Sequence, residues 1–142
     1  MYMNILVPVD LQETELTERA IQVARNLAEH YSATITVMTV IPDFGMPMVA
    51  SFFPADAMAN AKKEVEAELK RYIATRFENS GKLDYRVVDG VPHKEIVEFA
   101  KQHNIDMIVL PARTKDLGKV FMGSSSTHVA EHAPCSVLIV RP

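Results

Sequence analysis

The stretch FMGSSSTHVAEHAP (121–134) sets Gly123 and then four hydroxyl residues, Ser124, Ser125, Ser126 and Thr127, immediately before a helical pattern. Free backbone N–H groups at the positive end of a helix suit an anion, an effect of up to about 2 kcal/mol in favourable geometry. The hydroxyls could add donors. Arg113, Lys115 and Lys119, within ten residues upstream, would give a phosphate chain local countercharge. The competing reading is a serine cap for the helix and nothing more. Asp10, at the end of the first apolar run, also has two readings: an acceptor for ligand hydroxyls or a metal, and an ordinary helix cap.

Other chemistry-bearing residues point less clearly to a site. His128 and His132 stand at i, i+4 but lack the glutamate of the zinc-protease pattern, and His30, His93 and His103 are scattered. Cys135, the single cysteine, lies between Pro134 and an apolar run and reads as a packed side chain rather than a nucleophile. The sequence has no G-x-x-x-x-G-K-[ST] loop, no G-x-G-x-x-G after the first apolar run and no G-x-S-x-G elbow. Those gaps argue against a P-loop hydrolase, an ordinary dinucleotide dehydrogenase and an α/β-hydrolase. A phosphoacceptor receiver domain would need paired acids after the first strand and a lysine after the fifth. Asp89 could be its phosphoacceptor, but the lysine is missing.

Composition restricts partners. Fifteen basic residues against 18 acidic give a formal net charge of -3, so nothing attracts nucleic acid or an anionic membrane in general, and any polyanion must be gripped locally. One cysteine forbids an intrachain disulfide, no apolar run approaches a membrane span, and MYMNILVPVD lacks the pattern of a secretory leader. The expectation is a cytoplasmic protein without membrane insertion. At 142 residues, 48% of them hydrophobic, residues 1–142 are expected to form one domain.

The elements that must position these residues follow from periodicity. Five apolar runs, at 4–9, 33–40, 83–88, 106–112 and 136–141, read as strands; the first, fourth and fifth are continuous, as when helices cover both faces of a parallel sheet. Four helical patterns lie between them. The first starts at a Thr14 cap and carries Leu16, Ala20, Val23, Ala24, Leu27 and Tyr31 on one face. The second follows Pro54 with Met58, Ala61, Val65, Leu69, Tyr72 and Ile73 inward. The third has Pro92 in its first turn and an apolar stripe of Ile96, Val97 and Ala100. The fourth runs from Ser124 to about His132, before Pro134. The order predicts an α/β fold with a five-stranded parallel sheet and helices on both faces. Residues 42–54, PDFGMPMVASFFP, read as a lid or as an apolar surface connection. Ligands in such sheets sit at the carboxyl ends of strands where the winding reverses. A strand order of 3-2-1-4-5 would bring Asp10, the segment 111–116 and Gly123 around one crevice; an order of 2-1-3-4-5 would separate Asp10.

NILVPVD, VMTVIPD, DGVPHKEIVEFAKQHNIDMIVLPAR and MGSSSTHVAEHAPCSVLIVR together resemble the universal stress protein family, in order and over essentially the whole chain. The resemblance implies the 3-2-1-4-5 sheet, a Rossmann-like fold of the adenine nucleotide alpha hydrolase type. Nucleotide-binding members carry G-x2-G-x9-G-[ST]. Gly123 and Ser124 match its last two positions, whereas Pro111 and Thr114 stand in place of the first two glycines, with eight residues before Gly123. Neither can reproduce a glycine's close backbone approach. The shortened spacing resembles the F/G-type branch, in which nucleotide is still bound. Carried over, the resemblance implies Pro8, Val9 and Asp10 on the adenosine side, Val40 against adenine, Pro111, Ala112, Arg113 and Thr114 as a loop, and Gly123, Ser124, Ser125 and Ser126 as the phosphate turn. It further implies a cytoplasmic stress-response protein that binds ATP or AMP, with or without Mg²⁺, and acts as a nucleotide-responsive regulator. A homodimer through the last strand, 136–141, is implied as well. Slow ATP hydrolysis or self-phosphorylation, with Asp10 or a serine of the turn taking part, and a nucleotide-free interaction module remain as alternatives. The Pro111 and Thr114 departures favour the last of these.

Overall fold

The apolar runs fold as strands separated by helices in the computed structural model, which describes residues 1–11, 14–42, 56–76, 83–114, 120–121 and 124–141. In chain order these are β1 (Asn4–Pro8), α1 (Thr14–Tyr31), β2 (Thr34–Pro42), α2 (Ala57–Arg76), β3 (Leu83–Gly90), α3 (Pro92–Gln102) and β4 (Met107–Pro111). There follow β5 (Arg113–Thr114), β6 (Val120–Phe121), α4 (Ser124–His132) and β7 (Ser136–Val140). The main sheet has the order β3-β2-β1-β4-β7, which is 3-2-1-4-5 when only its own strands are counted. Its four strand pairings are all parallel. The order that would have separated Asp10 from the later segments is thereby excluded.

Side-chain alternation along the strands sorts the core into two layers. Ile5, Val7 and Val9 point to the face that α1 covers with Ala20, Ile21 and Ala24 and α2 with Leu69. Leu6, Met38, Ile108 and Leu110 point to the other face, under Ile96, Val97, Phe99 and Ala100 of α3 and Val129 of α4. Both faces of β1 and β4 are therefore dry, which is why their sequences are continuously apolar. The edge strand β3 alternates between half-buried and exposed positions over its first four residues, as a half-covered strand should. Leu69, fully buried, anchors α2, and truncating it to alanine would cost about 2–5 kcal/mol.

Several sequence expectations shift in detail. The expected loop at Pro111 to Thr114 is not a loop: Pro111 closes β4, and Arg113–Thr114 pairs antiparallel with Val120–Phe121, Arg113 opposite Phe121 and Thr114 opposite Val120. Residues rich in β-branched and aromatic side chains fold back on themselves there. Val9 and Ala112 fall just beyond their strands. Thr14 is the first residue of α1, and α3 begins with Pro92 after Val91, without a side-chain cap. Of the segment 42–54, Pro42 ends β2 and the remainder lies outside the described residues, as do Gly123, Lys115 and Lys119.

Candidate functional site

At the carboxyl ends of β1 and β4 the sheet parts, and the backbone shows why. The Val9 N–H donates to the Met38 carbonyl at 2.8 Å, and the Ala112 N–H donates to the Val140 carbonyl at 2.8 Å. Successive N–H groups of a strand turn to opposite neighbours, so position 8 is directed toward β4 and position 111 toward β1. Both are proline, which has no N–H to give. Accordingly the β1–β4 register pairs Ile5 with Met107 and Leu6 with Ile108, whereas the flanking registers continue to Pro8–Met38 and Pro111–Val140.

A cavity of about 520 Å³ occupies this parting. Pro8, Val9 and Asp10 form its β1 side, Val40 its β2 side, Pro111 and Ala112 its β4 side, and Ser125 and Ser126 of α4 its far wall. Eight of the residues singled out from sequence thus line one cavity. Ser126 is buried and Ser125 half-buried, so their hydroxyls belong to the wall of the cavity rather than to open solvent. Asp10 is exposed at the rim. Arg113, Thr114 and Ser124 are described in backbone only, at the start of the short hairpin and of α4. Gly123 lies outside the described residues.

The sequence did not point to Thr39, Glu68 or Pro92 as part of this wall, yet all three line it, beside Val65, which was expected only as a core residue. Topology could have suggested Pro92, since the turn after β3, although that is an edge strand, opens at the same carboxyl end of the parallel sheet. Thr39 is buried, and its hydroxyl donates to the Val9 carbonyl at 3.0 Å. The Thr17 hydroxyl, also buried, donates to the Asp10 carbonyl at 3.3 Å.

Two other groups read from sequence fall elsewhere. His93 of α3 meets His128 of α4 at a tilt, ring centroids 4.2 Å apart, while His128 and His132 stack at 4.1 Å, and the His132 Nδ1–H donates to the His128 carbonyl at 2.9 Å. The sequence showed the His128/His132 spacing but not the third ring, which only the α3–α4 packing supplies. Among the described residues no group of three His, Cys, Asp or Glu side chains is arranged to hold a metal ion. Cys135 is a half-buried free thiol; burial, and secondarily the Asp106 carboxylate, push its pKa up, away from nucleophilic use.

An open parallel α/β sheet with a ligand-sized cavity at its switch point is the class that this fold and cavity define. Residues 1–141 match the model of the universal stress protein family. The chain belongs to that family. It is 31% identical to universal stress protein MJ0531 of Methanocaldococcus jannaschii, covering 99% of this chain and 83% of that protein. With universal stress protein G of Escherichia coli O157:H7 the identity is 27%, covering 99% of this chain and 100% of the relative. The solved universal stress protein UspA from Lactobacillus plantarum superimposes with a TM-score of 0.73 at 32% identity, over 99% of this chain and 98% of that one. Two more distant solved chains share the fold. One is a universal stress protein in complex with cAMP, at 24% identity and TM-score 0.64, covering 98% of this chain and 96% of that one. The other, from Archaeoglobus fulgidus, is in complex with dAMP, at 21% identity and TM-score 0.68, covering 97% of each chain. No described helix is long and apolar enough to cross a membrane.

Proposed function

We propose that the cavity between β1 and β4 binds an adenine nucleotide, ATP or AMP, and that the protein acts as a nucleotide-responsive regulator in the cytoplasm. The carrying observation is the convergence of Pro8, Val9, Asp10, Val40, Pro111, Ala112, Ser125 and Ser126 on one cavity of about 520 Å³, a size suited to a nucleotide. The cAMP and dAMP complexes of distant neighbours make an adenine nucleotide a ligand that this fold can accommodate.

In this reading the nucleoside lies between Val9–Asp10 and Val40, with Asp10 accepting from the sugar hydroxyls and Val40 against the base. The phosphates extend toward the start of α4, where Gly123 gives close approach, backbone N–H groups and serine hydroxyls donate, and the helix dipole favours negative charge. Pro111, Ala112, Arg113 and Thr114 border the phosphate path. Mg²⁺ accompanies ATP through its phosphates. The chain works as a single nucleotide-binding domain without an assigned catalytic residue.

A second part of the proposal concerns β7, an edge of the main sheet. Among the described residues no strand pairs with its outer side, and Leu138 is 36% exposed, so pairing of 136–141 with the same strand of a second copy would cover both. Light scattering that finds only monomer at high concentration would overturn this part.

Titrating ATP into isotope-labelled protein tests the site assignment. Amide shifts should concentrate at Val9–Asp10, Val40, Ala112 and Ser125–Ser126. Shifts confined to other surfaces would remove the assignment.

A further inference from the structure

We infer that Thr39 and Thr17 are positioning residues that fix the backbone on both sides of Asp10 and so aim the ligand turn. The inference rests on the nucleotide reading of the cavity, and it begins from two hydrogen bonds. Thr39, on β2, donates from its hydroxyl to the Val9 carbonyl at 3.0 Å. Thr17, on α1, donates from its hydroxyl to the Asp10 carbonyl at 3.3 Å.

The Val9 carbonyl belongs to the peptide plane before Asp10, and the Asp10 carbonyl to the plane after it. Fixing both planes fixes the φ and ψ of Asp10, and thereby the direction in which its side chain leaves the chain. Asp10 itself is exposed, so burial of its own side chain does not set that direction. The two threonines, in contrast, are 7% and 1% exposed and belong to two different elements packed on β1. The turn is therefore gripped from the β2 side and the α1 side at once.

Residue chemistry supports the same reading. A threonine in the first turns of a helix is a poorer helix former than alanine, and a buried hydroxyl costs stability unless it finds a partner. Thr17 finds it in the Asp10 carbonyl. Thr39 is buried between Met38 and Val40, and valine would fill its volume; what valine lacks is the donor for Val9. Both hydroxyls act beyond the end of β1, where the strand ladder gives way to the cavity and side chains take over its role. A turn held in this way meets its ligand without first being ordered, which raises affinity without adding a ligand contact.

The test measures residue-resolved amide exchange and ATP affinity on the full chain for the wild type, T39V, T39S and T17V. T39V and T17V should each speed exchange at Asp10 and Leu11 while Ile5–Val7 stay protected as in the wild type. If the loosened turn is competent about one-tenth of the time, ATP binds about tenfold more weakly. T39S, which keeps the hydroxyl, should retain both the slow exchange and most of the affinity. Unchanged exchange at residues 10–11 in T39V would overturn the inference, and so would T39S behaving like T39V, because packing of the methyl would then be the cause. A wild type that binds no ATP while the variants loosen the turn as expected would remove the nucleotide reading and leave the clamp standing.

Discussion

Pro8 and Pro111 stand on the facing edges of β1 and β4, each lacking the N–H that would have been directed at the other strand. The β1–β4 register pairs only Ile5 with Met107 and Leu6 with Ile108, and the cavity begins where the prolines withhold the next rungs. A switch point makes a crevice available in such a sheet; these two prolines keep it from zipping shut.

Replacing Pro111 with alanine returns a donor directed at β1. One added ladder bond contributes about 1 kcal/mol, and the freer unfolded chain offsets about 0.4–1 kcal/mol of it, so the melting temperature should change little. The cavity should narrow instead, and ATP affinity measured by calorimetry should fall about fivefold for 1 kcal/mol of closure. Increased affinity would show that the new amide serves the ligand rather than the ladder.

Gly90 ends β3 with φ +144°, and a Cβ there would lie 2.5 Å from the Glu95 Oε1. The Glu95 carboxylate can swing away, but the backbone angle cannot relax without moving the start of α3. Gly90→Ala should therefore cost about 1–3 kcal/mol in chemical denaturation. A loss below a few tenths of a kcal/mol would contradict this account of the turn.

Asp106, just before β4, accepts from the Met3 and Asn4 N–H groups, both at 2.8 Å, through one carboxylate oxygen. Asp106→Ala leaves two donors without that partner at the start of the central strand. Water can reach the Met3 side, which limits the expected loss to about 1–2 kcal/mol. A variant as stable as the wild type would show that solvent replaces the carboxylate completely.

Stability should also depend on pH through the cluster of His93, His128 and His132. Partial desolvation lowers the His128 pKa from 6.5, aided by His132, His93 and Lys94 and opposed by Glu131. A histidine with a depressed folded pKa takes up its proton more readily when unfolded. The fold therefore loses stability as pH falls below the unfolded value, and the loss levels off below the folded one. His128→Gln should flatten that part of the stability profile; an unchanged profile would contradict the role given to the cluster.

Much of this architecture was legible in the sequence because it follows from burial. β1 and β4, dry on both faces, had to be continuous apolar runs, and α3 announced its start with Pro92. The run at 136–141 is equally continuous, yet β7 is an edge strand that alternates between exposed and half-buried positions before ending buried at Val140. Ile21 and Phe99 escaped the helical stripes although both are buried, because a helix lying on a sheet covers more than the narrow stripe counted from spacing. The cavity was legible only in outline. Asp10 and the serines could be named by type, but no pattern marks a threonine whose hydroxyl serves a carbonyl on another element. Nor does spacing bring His93 to His128, or fold Arg113–Thr114 back on Val120–Phe121, since both depend on how separate segments pack.

The most direct measurement is the nucleotide carried and bound by the wild-type protein. Freshly purified protein is denatured and the released small molecules are analysed, and the stripped, refolded chain is titrated with ATP by calorimetry. The account predicts released adenine nucleotide or, from empty protein, a saturable heat corresponding to one ATP per chain. No adenine nucleotide in the extract, together with no binding heat from a folded chain, would contradict it.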